Sequence, residues 1–254
     1  TLHHLTLRGN NMPCKIAAGN WKMNGTEAEL SALVSIAAAA DEASCTTILC
    51  PPATLLQAAA QNSGSLAIGG QNCHHEITGA HTGDVSAQML ADVGAQYVIV
   101  GHSERRSGYA ESDALVQAKA QAALSAQITP IICIGESLEQ RERGEAISVV
   151  STQLSASLPA EAQIIVAYEP IWSIGTGLVP TVALITQVHD ALRALLVQTY
   201  STLGNDISIL YGGSVKAGNA SEIFAVANVN GALVGGASLK SADFVPIMQA
   251  LSDS

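Results

Sequence analysis

The chain has 254 residues, of which 48% are hydrophobic, 13% charged and 4% aromatic. That length can bury one large core without a disulfide or metal staple, and aliphatic side chains must do most of its packing. Its 11 basic and 21 acidic residues leave a formal charge of −10 with no run of like charge, which argues against nucleic acid or an anionic membrane as partner.

Taken in chain order, residues 1–11 (TLHHLTLRGNN) lack the apolar stretch of a secretory signal and read as an N-terminal extension or tag remnant. Met12 is a natural start, and residues 12–254 read as one domain. Eight short apolar runs follow, at residues 15–19, 47–50, 66–70, 97–100, 130–134, 164–168, 208–210 and 232–234. Each is continuous rather than alternating, as strands of a parallel sheet covered on both faces must be. Between them lie amphipathic stretches, for example 112–127 and 181–199. In the second, Leu184, Val188, Leu192 and Leu195 form the expected inner stripe, Gln187, Asp190 and Arg193 face outward, and Thr181 is the expected N-cap. Strict alternation, eight times over, predicts an α/β fold: a single-domain (β/α)8 barrel of eight parallel strands. An open doubly wound sheet is the alternative, because alternation alone does not show closure.

The five cysteines (Cys14, Cys45, Cys50, Cys73 and Cys133) are odd in number and form no CxxC pair, so they read as reduced, buried thiols of a cytoplasmic protein. No apolar run approaches the length of a membrane span. Cys73-His74-His75 has the residue types of a metal site, but consecutive residues do not converge on one ion, and no metal is expected.

Polar and glycine residues gather just after the strands. In a parallel barrel those positions share the C-terminal face, where barrel active sites lie. Tyr211-Gly212-Gly213-Ser214 and Gly235-Gly236-Ala237 each precede a helix and let backbone N–H groups approach an anion, so they read as a phosphate site or as plain tight turns. Glu169 ends the sixth strand and heads an apolar, glycine-rich loop, which suits either a base under a lid that would raise its basicity or a helix-capping or salt-bridged carboxylate. His102 stands just before a helix start at Ser103, whose N–H groups disfavour a charged ring. Lys22, with Asn20 at the first strand's exit, supplies the local positive charge that an anionic substrate would need.

Together these segments resemble one family. Asn20-Trp21-Lys22-Met23-Asn24-Gly25, Gly101-His102-Ser103-Glu104-Arg105-Arg106, Ala167-Tyr168-Glu169-Pro170-Ile171-Trp172, Gly175-Thr176-Gly177, Tyr211-Gly212-Gly213-Ser214-Val215 and Leu233-Val234-Gly235-Gly236-Ala237-Ser238-Leu239 are similar to triosephosphate isomerase motifs, in the family's order. The resemblance implies a TIM barrel that interconverts dihydroxyacetone phosphate and D-glyceraldehyde 3-phosphate, in glycolysis and gluconeogenesis, with no cofactor. It implies Glu169 as the base, His102 as the carbonyl's proton donor, and Lys22 and Asn20 as binders that offset enediolate charge. Glu104 and Cys133 support the site, while N–H groups of Gly175, Ser214, Gly235 and Gly236 hold the phosphate. The pairing of a glutamate base with a neutral histidine under a closing loop is the established example of this chemistry in this enzyme.

The implied lid is Pro170, Ile171, Trp172, Ser173, Ile174, Gly175, Thr176, Gly177, Leu178, Val179 and Pro180. Its Leu178-Val179-Pro180 end departs from the family's lysine-containing, alanine-ended hinge. In the family, the tyrosine matching Tyr211 bonds the backbone N–H matching position 180. Pro180 has no N–H, so Tyr211→Phe is expected to cost little here. The resemblance also implies a homodimer whose loop 71–86, with Thr82 at its tip, enters the partner. Asp84, where a longer Glu is common, would face Arg105 across that interface. A non-catalytic phosphate-binding or interaction protein on the same barrel is the rival reading.

Overall fold

Strands form where the apolar runs stand: β1 (Ile16–Asn20), β2 (Thr46–Cys50), β3 (Ala67–Gly70), β4 (Tyr97–Val100), β5 (Thr129–Ile134), β6 (Ile165–Tyr168), β7 (Ser208–Tyr211) and β8 (Gly231–Val234). The structure is a computed structural model and describes residues 13–176 and 178–254. The expected extension 1–11, Met12 and the lid's Gly177 lie outside the described residues. All eight strands pair in parallel in chain order, and β1 pairs with β8 as well as with β2. The sheet is therefore a closed barrel rather than an open doubly wound sheet.

The continuous apolar character of the strands has a direct cause, since each strand buries both faces. Ile16, Ala18, Ile48, Cys50, Ile99 and Ile131 belong to a core inside the barrel. Their neighbours Ala17, Leu49, Val98, Val100 and Ile132 pack outward against the helices. This period of two also aims the site. Counting by twos from Ile16 and Ala18 reaches Asn20, and from Ile165 and Ala167 it reaches Glu169, so both polar groups stand on the inner parity at the barrel's C-terminal mouth.

Helix starts follow their caps. The Ser112 side chain accepts from Leu115 N–H ahead of helix Asp113–Ser125, and the Thr181 side chain accepts from Leu184 N–H ahead of helix Val182–Tyr200. The inner stripe of the latter differs from expectation. Ile185, Val188, His189, Leu192 and Leu196 are buried, while Leu184 and Leu195 sit at its margin. Adjacent apolar residues leave the phase of a 3.6-residue stripe open by one position, and packing on the curved barrel decides it. Arg193, expected outward, is half-buried and bonds the side chains of Asn228 (3.2 Å) and Asn230 (3.0 Å). The cysteines are unpaired, and four are buried, but Cys14 is exposed because it precedes the first buried residue of β1. No described helix is long and apolar enough to cross a membrane.

Candidate active site

Asn20 ends β1 almost fully buried, and its Oδ1 accepts from Lys22 N–H at 2.9 Å. That turn holds Lys22 at φ 53°, a left-handed conformation that costs a residue with a Cβ about 1–2 kcal/mol. Gln71 Nε2 steadies it by donating to Lys22 O and Cys50 O, both at 2.8 Å. The strained turn turns the Lys22 side chain over the loop after β8, where a Cβ added at Gly235 would touch Lys22 Cε at 3.5 Å. Lys22 Nζ meets Glu104 Oε1 at 2.6 Å, so the site's cation is paired with a carboxylate.

His102 is the N-cap of helix Ser103–Gly108, and its Nδ1 accepts from Glu104 N–H at 3.3 Å. Nδ1 thus acts as acceptor and Nε2 as donor, the latter 3.0 Å from Glu169 Oε1. Ser103 completes the cradle: its N–H reaches Glu169 Oε2 and its hydroxyl reaches Oε1, both at 3.0 Å. Burial alone would raise the Glu169 pKa, but His102 and the Ser103 donors outweigh it and hold the carboxyl below its ordinary range. In this arrangement Glu169 is thus less basic than the lid reading expected, because donors stabilise its charged form. Cys133 lies beneath it inside the barrel, its thiol pushed well up by burial and by the Glu169 charge.

Backbone fit fixes where Glu169 stands. Its N–H donates to Ile134 O at 2.7 Å, and a Cβ at Gly135 would collide with Glu169 O. After Pro170 the chain makes a short turn, Ile171–Ser173, that hangs on one carboxylate. Glu136 Oε1 accepts from Trp172 Nε1 (3.0 Å), from Tyr168 OH (3.0 Å) and from Arg141 Nε and an Nη (3.0 and 2.6 Å). Further along this loop, Leu178 and Val179 are exposed, and a Cβ at Gly175 would meet none of the described residues within 4 Å. The lid and the loop after β7 are joined where Ser214 Oγ donates to Ser173 O at 3.1 Å. At the loop after β8, Ser238 Oγ donates to Gly235 O (2.7 Å) and Trp21 Nε1 donates to Ser238 O (2.9 Å), tying this loop to the first strand's exit. Gly236 begins the short turn Gly236–Leu239 with open space where a side chain would be.

Asn20, Lys22, His102, Glu104, Glu169 and Cys133 thus meet at one mouth, and the Ser214 and Gly235 loops border it. Thr82, Asp84 and Arg105 line a cavity of about 550 Å³ that also reaches Asn20, Lys22 and His102. Within the chain Arg105 is engaged elsewhere, its Nε 2.6 Å from Glu111 Oε1, and Asp84 Oδ2 lies 3.8 Å from His74 Nε2. His74, His81 and Asp84 offer ligand atoms within 4.8 Å of one another. The rings of His74 and His81 are tilted by 31° with centroids 3.9 Å apart, and His74 Nδ1 accepts from Glu76 N–H at 3.0 Å.

Sequence reasoning missed two groups. Ser103 was noticed as a helix start, not as the anchor of Glu169. Glu136 went unnoticed, although a carboxylate just beyond β5 is a signal of the kind that marked Glu169.

Comparison with known proteins is consistent throughout. The family profile described as triosephosphate isomerase matches residues 15–251. A triosephosphate isomerase of Ruegeria sp. (strain TM1040) is 56% identical over 246 residues, covering 96% of this chain and all of that protein. One from Ruegeria pomeroyi is 57% identical, covering 94% and 98%. Among solved structures, the triosephosphate isomerase of Bartonella henselae superposes with a TM-score of 0.88 at 46% identity, covering 93% of this chain and 98% of its own.

Proposed function

The chain belongs to the triosephosphate isomerase family, and from that premise we propose that it interconverts dihydroxyacetone phosphate and D-glyceraldehyde 3-phosphate with Glu169 as the base. It is an isomerase of glycolysis and gluconeogenesis. One observation carries the residue roles: Glu169, the His102 Nε2 proton and Lys22 Nζ lie in one chain of contacts at the mouth.

Glu169 takes a proton from the carbon next to the carbonyl and returns it to the neighbouring carbon. Between those steps the substrate is an enediolate. His102 Nε2–H faces the oxygen on which charge develops and passes protons between the two oxygens, while Lys22 and Asn20 offset the charge. Glu169 must leave the Ser103 donors to reach carbon, and losing them raises its basicity at the moment it is needed. The phosphate sits on N–H groups of Gly175, Ser214, Gly235 and Gly236, and the lid closes over it, keeping water from an intermediate that can otherwise expel phosphate. Glu104 holds Lys22, and Cys133 keeps the floor beneath Glu169 apolar and neutral.

The same reading makes the protein a cytoplasmic homodimer. Met23 (96% exposed), Tyr109 (70%) and Met89 are apolar groups left in water on this chain. Met23 and Tyr109 rim the cavity that contains Asn20, Lys22 and His102. A partner's loop carrying Thr82 fills that cavity, and its Asp84 comes to Arg105. The test is a coupled assay with glyceraldehyde 3-phosphate in the presence of a chelator. Turnover without added metal or cofactor is expected, and its absence in folded dimer would refute the assignment.

A further inference from the structure

His102 and Ser103, which hold Glu169, arrive on β4, whereas Glu169 itself rides on β5 and β6. The β5–β6 register runs out to Ile134 opposite Tyr168, and Glu169 N–H adds one more bond to Ile134 O at 2.7 Å. The β4–β5 register stops earlier, with Val100 opposite Ile132. Beyond that pair Gly101 turns at φ 67°, a left-handed conformation that takes the chain out of the ladder. A seam is left between the element that carries the donors and the elements that carry the base.

The Arg106 guanidinium closes that seam. Its Nε donates to Gly101 O at 2.8 Å and, at a longer 3.3 Å, to Cys133 O, and one Nη donates to Cys133 O at 3.2 Å. The fork is itself anchored. The same Nη reaches Ser157 Oγ at 3.1 Å, and the other Nη meets Asp113 Oδ1 at 2.5 Å. Only 14% of the Arg106 side chain is exposed, and Ser157 is fully buried. A planar group with five N–H donors can serve these four residues at once, whereas the single nitrogen of a lysine cannot. Both carbonyl groups adjoin the site: Gly101 precedes His102, and Cys133 precedes Ile134, whose oxygen holds Glu169 N–H.

We propose that Arg106 is a positioning residue for the isomerisation, fixing His102 and Ser103 relative to Glu169 by bonding the carbonyl groups of Gly101 and Cys133. It touches no substrate and acts through those groups. Its influence is large because a misplacement of about 1 Å at a reacting centre costs on the order of 10²-fold in rate. The inference rests on the proton-transfer reading above and adds the device that sets its spacing.

The test compares Arg106→Lys, which keeps the charge but not the fork, with Ser157→Ala, which removes one anchor of the fork. Steady-state kinetics, the pH profile of kcat/KM and urea unfolding are measured for each. Arg106→Lys should lower kcat about tenfold to a hundredfold while KM stays within about twofold, because the loops after β7 and β8 keep their geometry. Its acid limb should move to higher pH, since loosened donors stabilise charged Glu169 less while the neighbouring positive charge is retained. Combined with Ser103→Ala, it should displace that limb by less than it does alone. Ser157→Ala should show the same pattern with kcat lowered about twofold to fivefold, and it decides the matter if Arg106→Lys does not fold. An unchanged kcat with only a lower urea midpoint, an acid limb that stays, or displacements that add in full overturn the proposal. An unsubstituted chain that does not turn over contradicts the isomerase reading itself. Turnover there beside an unaffected Arg106→Lys contradicts the role of Arg106 alone.

Discussion

His189 gives the structure a specific sensitivity to acid. It is fully buried on helix Val182–Tyr200, with Nδ1 donating to Asn228 O at 3.0 Å and Nε2 without a partner among the described residues. Burial pushes its pKa down to about 4 from an ordinary 6.5, with Asn228 O pulling the other way. The unfolded chain therefore binds a proton at this residue below pH 6.5, and the folded chain does so only near pH 4. Stability from the neutral ring is complete above pH 6.5 and is lost as pH falls toward 4. By linkage the loss between pH 7.5 and 5.0 is about 2 kcal/mol, approaching about 3 kcal/mol at lower pH. Urea unfolding at those two pH values and one protein concentration measures it, for the natural chain and for His189→Gln. The variant should be weaker at pH 7.5 yet lose about 2 kcal/mol less on acidification. Equal losses in the two proteins would refute the claim that His189 titrates as a buried neutral ring.

Three further outcomes follow from the site. Ser103→Ala removes one donor that stabilises charged Glu169, so the acid limb of kcat/KM should move to higher pH, and a limb that stays or moves down contradicts the cradle. Glu136→Gln leaves the guanidinium of Arg141, largely buried, without its carboxylate. It should cost about 3–5 kcal/mol in urea unfolding, whereas a cost below about 1 kcal/mol would mean that Glu136 is not the lid's anchor. Deleting the loop tip 79–84 should give a poorly active monomer by sedimentation and assay, and an active monomer would remove the loop from the site.

Much of this molecule is written locally. Short-range pattern carries the strands, because both of their faces are buried and every position between the ends must be apolar. Caps at Ser112 and Thr181 fix helix starts through bonds that span three residues. Glu169 and Asn20 were legible as polar groups breaking apolar runs at strand ends, and the strand's period of two then aims them. What stayed hidden depends on partners far apart in sequence. Ser103 lies 66 residues from Glu169 and Trp172 lies 36 from Glu136. Nothing local marks such a bond, and only closure of the barrel brings its two halves together. The lowered pKa of Glu169 in this arrangement stayed hidden for the same reason: burial was foreseeable, whereas the three donors that outweigh it were not.

The central claim is that Glu169 moves the proton, and kcat of folded Glu169→Gln and Glu169→Asp measures it most directly. A positioned general base contributes roughly 10²–10⁴-fold, so Glu169→Gln should lose at least that much while unfolding at the same urea concentration. Glu169→Asp withdraws the carboxylate by about 1 Å and should cost on the order of 10²-fold. A kcat within about threefold of the natural chain in folded Glu169→Gln would contradict the account.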